Sequence, residues 1–179
     1  LLSALFAPSG CNSSGGCAMI TIREFELSDL DAMVTIEASL FPEDAWSKDT
    51  FVDEIHQIPF TRFYLTALNE GQVIGYAGLF APMVGEVADI QTMAVDRAYQ
   101  RQGIGKQLLT GLLTEAMVRK APNVMLEVRD GNEAAHSLYH AAGFVVVANR
   151  RNYYAPGVHA KAMSAPARVI KDTLQRWSA

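Results

Sequence analysis

Residues 88–113, ADIQTMAVDRAYQRQGIGKQLLTGLL, restrict the fold more than any other stretch. Ile90 to Val95 is an apolar run ending in a β-branched residue, the pattern of a buried strand. Asp96 to Gln102 is polar and reads as a turn. Gly103-Ile104-Gly105 then opens a helix whose apolar residues fall at Ile104, Leu108, Leu109, Leu112, Leu113 and Ala116, a helical spacing. A strand therefore feeds a glycine-containing turn, which feeds a helix N-terminus.

That order has a chemical use. The first backbone N–H groups of a helix have no partner within it and lie at the positive end of the macrodipole. Gly103 and Gly105 allow close approach to the backbone, and Arg101 and Lys106 add positive charge. A phosphate or pyrophosphate fits such a place. An ordinary helix start with incidental glycines has the same spacing, so spacing alone leaves both readings open. The P-loop pattern fails, because Gly105-Lys106 is followed by Gln107 and no glycine stands five residues before Gly105. The dinucleotide fingerprint fails too, because Leu108 stands three residues after Gly105.

What remains, Gln100-Arg101-Gln102-Gly103-Ile104-Gly105 after a strand, resembles the acyl-CoA pyrophosphate loop of the Gcn5-related N-acetyltransferases (GNAT). The resemblance implies acetyl-CoA as co-substrate. It implies that the amides of Arg101, Gln102, Gly103, Ile104, Gly105 and Lys106 hold the pyrophosphate. It also implies that the strand backbone at Met93, Ala94 and Val95 pairs with the pantetheine arm.

The chain has 179 residues, enough for one domain with a full core. Half of them are hydrophobic and 19% are charged, an ordinary globular balance. A net charge of −4 argues against a general nucleic-acid or anionic-membrane binder. No apolar run approaches the ~20 residues needed to span a bilayer. Residues 1–18, rich in Ser, Gly and Ala and without charge, read as non-native or disordered sequence ahead of a native start at Met19. Cys11 and Cys17 both lie there. A body without cysteine fits a reducing cytoplasm and offers no cysteine nucleophile. His136 and His140, four apart, read as a solvated helix face, and no metal site is expected.

Elsewhere the signals are local. Ile20 to Arg23 alternates like a strand, and Ser28 with Asp31 approaches a capping box before a helix ending near Leu40. Ser47 caps a second short helix. Phe63–Leu68 and Val73–Phe80 flank Asn69-Glu70-Gly71 as a hairpin. Val124–Val128 is a strand, Asn132 caps a helix over Glu133–Ala142, Gly143 stops it, and Phe144 begins a further strand. The order β-α-α-β-β-β-α-β-α-β gives a mixed α/β (α+β) sheet flanked by helices, with the domain over residues 19–163. It is also the order of the GNAT fold. Residues 158–168 read poorly as a last strand, because Lys161 interrupts them and Pro166 closes them. The tail, 164–179, has helical character but stands outside the pattern.

The second half narrows the resemblance. Leu126-Glu127-Val128-Arg129, Asn132, Leu138-Tyr139, Gly143-Phe144 and Arg151-Asn152-Tyr153-Tyr154, with Phe41-Pro42 and Trp46-Ser47 upstream, are similar to the ribosomal-protein-alanine N-acetyltransferase (RimI) group. The similarity spans about Met19 to Pro156. It implies a protein N-terminus as substrate, the N-terminal alanine of a small-subunit ribosomal protein. Another N-terminus, a lysine or a small amine remains open, as does an acyl-CoA-binding domain without turnover.

Amine attack on a thioester needs a base, an oxyanion donor and a proton for the leaving sulfur. Glu127 is the candidate base, since a carboxylate within Val124-Met125-Leu126-Glu127-Val128 needs a reason; strand alternation toward a solvated face is the plainer one. Tyr139 is the candidate acid, with a core aromatic as its plainer reading. Asn132 both caps its helix and meets the coenzyme arm. Asp89 is a rival base or a recognition site for the substrate amine. Trp46 and the run Arg150-Arg151-Asn152-Tyr153-Tyr154 shape the peptide groove, although Arg150 and Arg151 also read as an exposed strand end.

Overall fold

The computed structural model describes residues 20–179. Residues 1–18, both cysteines and Met19 lie outside the described residues. The elements are β1 (Ile20–Glu24), α1 (Leu30–Leu40), α2 (Lys48–Ile55), β2 (Arg62–Asn69), β3 (Gln72–Phe80), β4 (Ala88–Val95), α3 (Ile104–Val118), β5 (Asn123–Arg129), α4 (Glu133–Ala141), β6 (Val145–Ala155), β7 (Val158–Pro166) and α5 (Ala167–Ser178). Short 3-10 turns at Leu27–Asp29 and Arg97–Tyr99 precede α1 and α3. Seven strands form one sheet in the order β1-β2-β3-β4-β5-β7-β6. Among the described residues only β4 and β5 pair in parallel.

Alternation decides the faces. Along β5, Val124, Leu126 and Val128 are buried while Met125, Glu127 and Arg129 are half-buried. The buried set joins Ile104, Leu108, Leu109, Leu112 and Leu113 of α3 in the main core. A second cluster packs Met33 and Ile36 of α1 with Phe51, Tyr64 and Tyr76. Helix α3 thus covers one face of the sheet, and α1 with α2 covers part of the other.

Several local expectations hold. Ser47 accepts from the Thr50 N–H at 3.1 Å, and Asn132 accepts from the Ala135 N–H at 3.2 Å. Gly143 ends α4 at φ +90°. Ser28, however, caps nothing. It sits inside a 3-10 turn whose reciprocal capping pair is Glu26 and Asp29, because Asp29 is fixed by Arg23 at 2.7 Å and by the Thr66 hydroxyl.

The weak last strand is a strand after all. β7 lies inside the sheet, between β5 and β6, where neighbours on both sides satisfy its backbone and override its poor propensity. Lys161 is tolerated because its ammonium reaches Asp130 at 3.1 Å. Pro166 stands at the strand's end, where its missing donor is not needed. The unit also runs past residue 163. Helix α5 buries Ile170 and Thr173, and the Thr173 hydroxyl donates to Ala142 O at 3.0 Å. His136 is not on a solvated face either; it is buried, with its ring 6.5 Å from that of His140.

Candidate active site

The β4–β5 ladder is short. It pairs Ala88 with Val124, Asp89 with Met125 and Ile90 with Leu126, and then stops. On its other side β4 continues along β3 to Val95, with a bulge at Gln91 between Leu79 and Gly78. The two strands therefore part, and the β5-facing backbone groups of 91–95 have no strand partner. An open cleft of about 680 Å³ lies at this split. Its walls come from β4, β5, the start of α4, the α1–α2 connection and the end of β6.

Of the residues singled out in the sequence, Trp46, Met93, Glu127, Asn132, Tyr139, Tyr153 and Tyr154 line this cleft. Glu127 reaches it because it alternates away from the α3 core, and 17% of its side chain is exposed. Arg150 Nη2 meets Glu127 Oε1 at 3.0 Å. Tyr139 is buried, tilted against Phe144 at 5.9 Å, yet its edge opens on the cleft. Burial, and next the nearby Tyr154, hold its phenol above the ordinary value, so it stays protonated at neutral pH. Tyr153 and Tyr154 pack edge to face at 5.0 Å. Burial first, then Tyr153, Asp44 and Glu127, push Tyr154 up to about 12, against the pull of Arg129.

Other candidates lie elsewhere. Asp89 is beside Glu127 rather than in the cleft lining. Burial first, and then the charge of Glu127, raise its carboxyl to about 6, with Arg150 pulling the other way. Ala94 is buried in the α1-side cluster, and Val95 ends β4. Arg151 is exposed on the edge strand β6 and does not reach the cleft; its neighbour Arg150 reaches Glu127 instead.

Arg101 to Lys106 form the turn beyond β4. Arg101 takes φ +62° and Gly103 φ +82°, which together swing the chain into α3. Gln107 N–H to Gly103 O, 3.1 Å, is the helix's first bond, so the amides of Gly103, Ile104, Gly105 and Lys106 lack helix partners. The space beside Gly103 is open, with nothing within 4 Å of a built Cβ. Gln100 and Gln102 bind back to Val95 O and Ala98 O and hold the loop. Such a turn suits a diphosphate.

Sequence reasoning missed three residues. Glu37 is buried at the cleft wall and accepts from the Trp46 N–H at 3.1 Å and from the Tyr76 hydroxyl. Burial raises its carboxyl against those two donors. Its position four after Met33, on the apolar stripe of α1, was the available signal. Arg129 binds Asp44 at 2.9 Å and stacks over Tyr154 at 5.3 Å, joining the α1–α2 connection to the end of β6. Nothing in local sequence pairs those three. Among the described residues no group of three or more His, Cys, Asp or Glu has a metal-binding arrangement, and no helix is long and apolar enough to cross a membrane.

The family model for the acetyltransferase (GNAT) family matches residues 30–144. A [ribosomal protein bS18]-alanine N-acetyltransferase of Escherichia coli K12 is 38% identical over 138 residues, 76% of this chain and 88% of that protein. The N-alpha-acetyltransferase RimI of Mycobacterium tuberculosis is 36% identical over 140 residues, 75% and 84% of the two chains. The crystal structure of the Escherichia coli ribosomal-protein-S18-alanine N-acetyltransferase superposes with a TM-score of 0.73 at 33% identity, covering 83% of this chain and 94% of that one. Ard1 from Thermoplasma volcanium gives a TM-score of 0.74 at 27% identity, covering 82% and 97%.

Proposed function

The chain belongs to the acetyltransferase (GNAT) family, and on that premise we propose that it moves the acetyl group of acetyl-CoA to the N-terminal alanine of a small-subunit ribosomal protein, in the cytoplasm. One observation carries the reading. A carboxylate, Glu127, and a phenol, Tyr139, both face the cleft where β4 leaves β5. A binding module without turnover needs neither group there.

Bound acetyl-CoA supplies an acyl carbon on a thiolate leaving group. The first-turn amides of α3, with Arg101 and Lys106 beside them, hold its diphosphate. The unpaired backbone of Met93, Ala94 and Val95 receives the pantetheine arm, and Asn132 meets it from the start of α4. Glu127 removes the proton from the substrate ammonium, directly or through one water; with an α-amino pKa of ~7.7–8.0, a carboxylate base needs only modest strength. A β4 main-chain N–H left free by the split faces the oxygen of the tetrahedral intermediate. Tyr139 donates its proton to the departing sulfur and regains one from solvent. With no cysteine between residues 18 and 179, the amine attacks directly and no acyl-enzyme forms. Trp46, Tyr153 and Tyr154 form the peptide groove; Arg151, away from the lining, acts at its outer edge.

The test is a peptide panel with acetyl-CoA: one peptide with N-terminal Ala, one with N-terminal Met, and one blocked at its N-terminus but carrying a lysine. Product on the Ala peptide alone is expected. Product on the lysine peptide alone contradicts the assignment.

A further inference from the structure

The proposed base is already engaged. Arg150 Nη2 lies 3.0 Å from Glu127 Oε1 as an ion pair, so one oxygen of the carboxylate faces a guanidinium where an incoming ammonium would sit. Arginine keeps its proton throughout the accessible pH range. An ammonium that takes this oxygen must displace the guanidinium from it.

The sheet is arranged for that exchange. Arg150 pairs with Ala160 of β7, and Ala162 of β7 pairs with Glu127. The β7 residues in register with the β6 arginine and the β5 carboxylate are thus small alanines, 2% and 1% exposed. The Arg150 side chain crosses β7 to Glu127 and remains 49% exposed. An ion pair whose arginine is half-exposed is screened by solvent and readily exchanged. Beyond Arg150 the β6–β7 register breaks until Ala155, and Asn152 takes φ +54°. A second carboxylate is in reach. Asp89 is registered with Met125, two residues from Glu127, so both acids share one face of the sheet. Asp89 is outside the cleft lining and near enough to Arg150 to feel its charge.

We propose that Arg150 occupies the place of the substrate ammonium on Glu127 in the free enzyme and passes to Asp89 when an amine enters. The inference rests on Glu127 as the base. Arg150 is then a specificity-determining residue: only an amine able to displace a guanidinium from a carboxylate reaches the base. Asp89 receives the displaced charge best when ionised. It is faced by Glu127 from β5 and by Arg150 and Tyr153 from β6, while its β3 neighbour, Phe80, carries no charge. Burial raises Asp89 to about 6, so the exchange becomes easier as pH rises through 6. The substrate α-amine remains an ammonium from pH 5 to 7, so a change of peptide KM in that window belongs to the enzyme.

The experiment is peptide KM and kcat from pH 5 to 7 for the wild type, Arg150→Gln, Asp89→Asn and the double variant, with Arg150→Lys as the charge-preserving control. Arg150→Gln should lower KM about threefold and Asp89→Asn should raise it about threefold, in scale with an exposed ion pair. In the Arg150→Gln background, Asp89→Asn should change KM by less than about 1.5-fold, because the two residues act through one contact. The wild type and Arg150→Lys should show KM falling from pH 5 to 7, and Asp89→Asn should not. A rise of KM in Arg150→Gln, or an Asp89→Asn effect of equal size with and without Arg150, overturns the exchange. Glu127→Gln, run alongside, separates the two levels. If it is inactive while Arg150→Gln leaves KM unchanged at every pH, only the exchange is lost; if it is active, the base assignment and the exchange fall together.

Discussion

Asp89 carries a charge at neutral pH that its surroundings resist. Burial lifts its carboxyl from the ordinary range to about 6, and the Glu127 charge adds to the lift. Between pH 4 and 6 the folded chain holds a proton that the unfolded chain has released, so stability falls as pH rises through that window. Asn cannot ionise. Asp89→Asn should therefore match the wild type near pH 4 and exceed it by roughly 1 kcal/mol at pH 7, after allowance for solvent screening. Urea denaturation at the two pH values measures this; an advantage at pH 4 that does not grow by pH 7 would refute it. At this scale the sequence was partly legible. Glu127 announced itself as a carboxylate in an apolar strand. Arg150 and Arg151 could not be told apart, because only strand register decides which one crosses β7 to Glu127. Glu37 carried a quieter signal, an acid on the buried stripe of α1 four residues after Met33.

At the scale of elements, two glycines with similar backbone angles separate conformational strain from packing. Gly103 has φ +82° and open space around a built Cβ, whereas Gly143 has φ +90° and such a Cβ would lie 2.3 Å from Val169 Cγ1. Gly103→Ala should cost about 1 kcal/mol, the left-handed penalty alone. Gly143→Ala should cost about 2–4 kcal/mol, because α5 must also shift. Thermal unfolding of both variants compares them; equal losses would mean that α5 yields freely at Val169. The helix start at Gly103 was readable from local pattern, since periodicity and glycine placement are local properties. β7 was not. Its alanines and Lys161 are poor strand formers, and it is a strand because β5 and β6 flank it.

For the whole molecule, the decisive feature is the early end of the β4–β5 ladder, which opens the cleft and frees the β4 backbone. The order of elements was legible, and with it the mixed sheet. The split was not, because no residue type marks where β4 and β5 cease to pair or the bulge at Gln91 beside that point. Nor was the closure of the cleft by Arg129, which ties Asp44 to Tyr154 across residues distant in sequence. The central claim is that this cleft brings an amine to Glu127 beside an acetyl thioester. Steady-state turnover of Glu127→Gln on the N-terminal Ala peptide, with acetyl-CoA affinity measured on the same protein, tests it most directly. The account predicts a kcat at least about 100-fold lower, the scale of a lost general base, with acetyl-CoA affinity within about twofold of wild type. Undiminished turnover would contradict it.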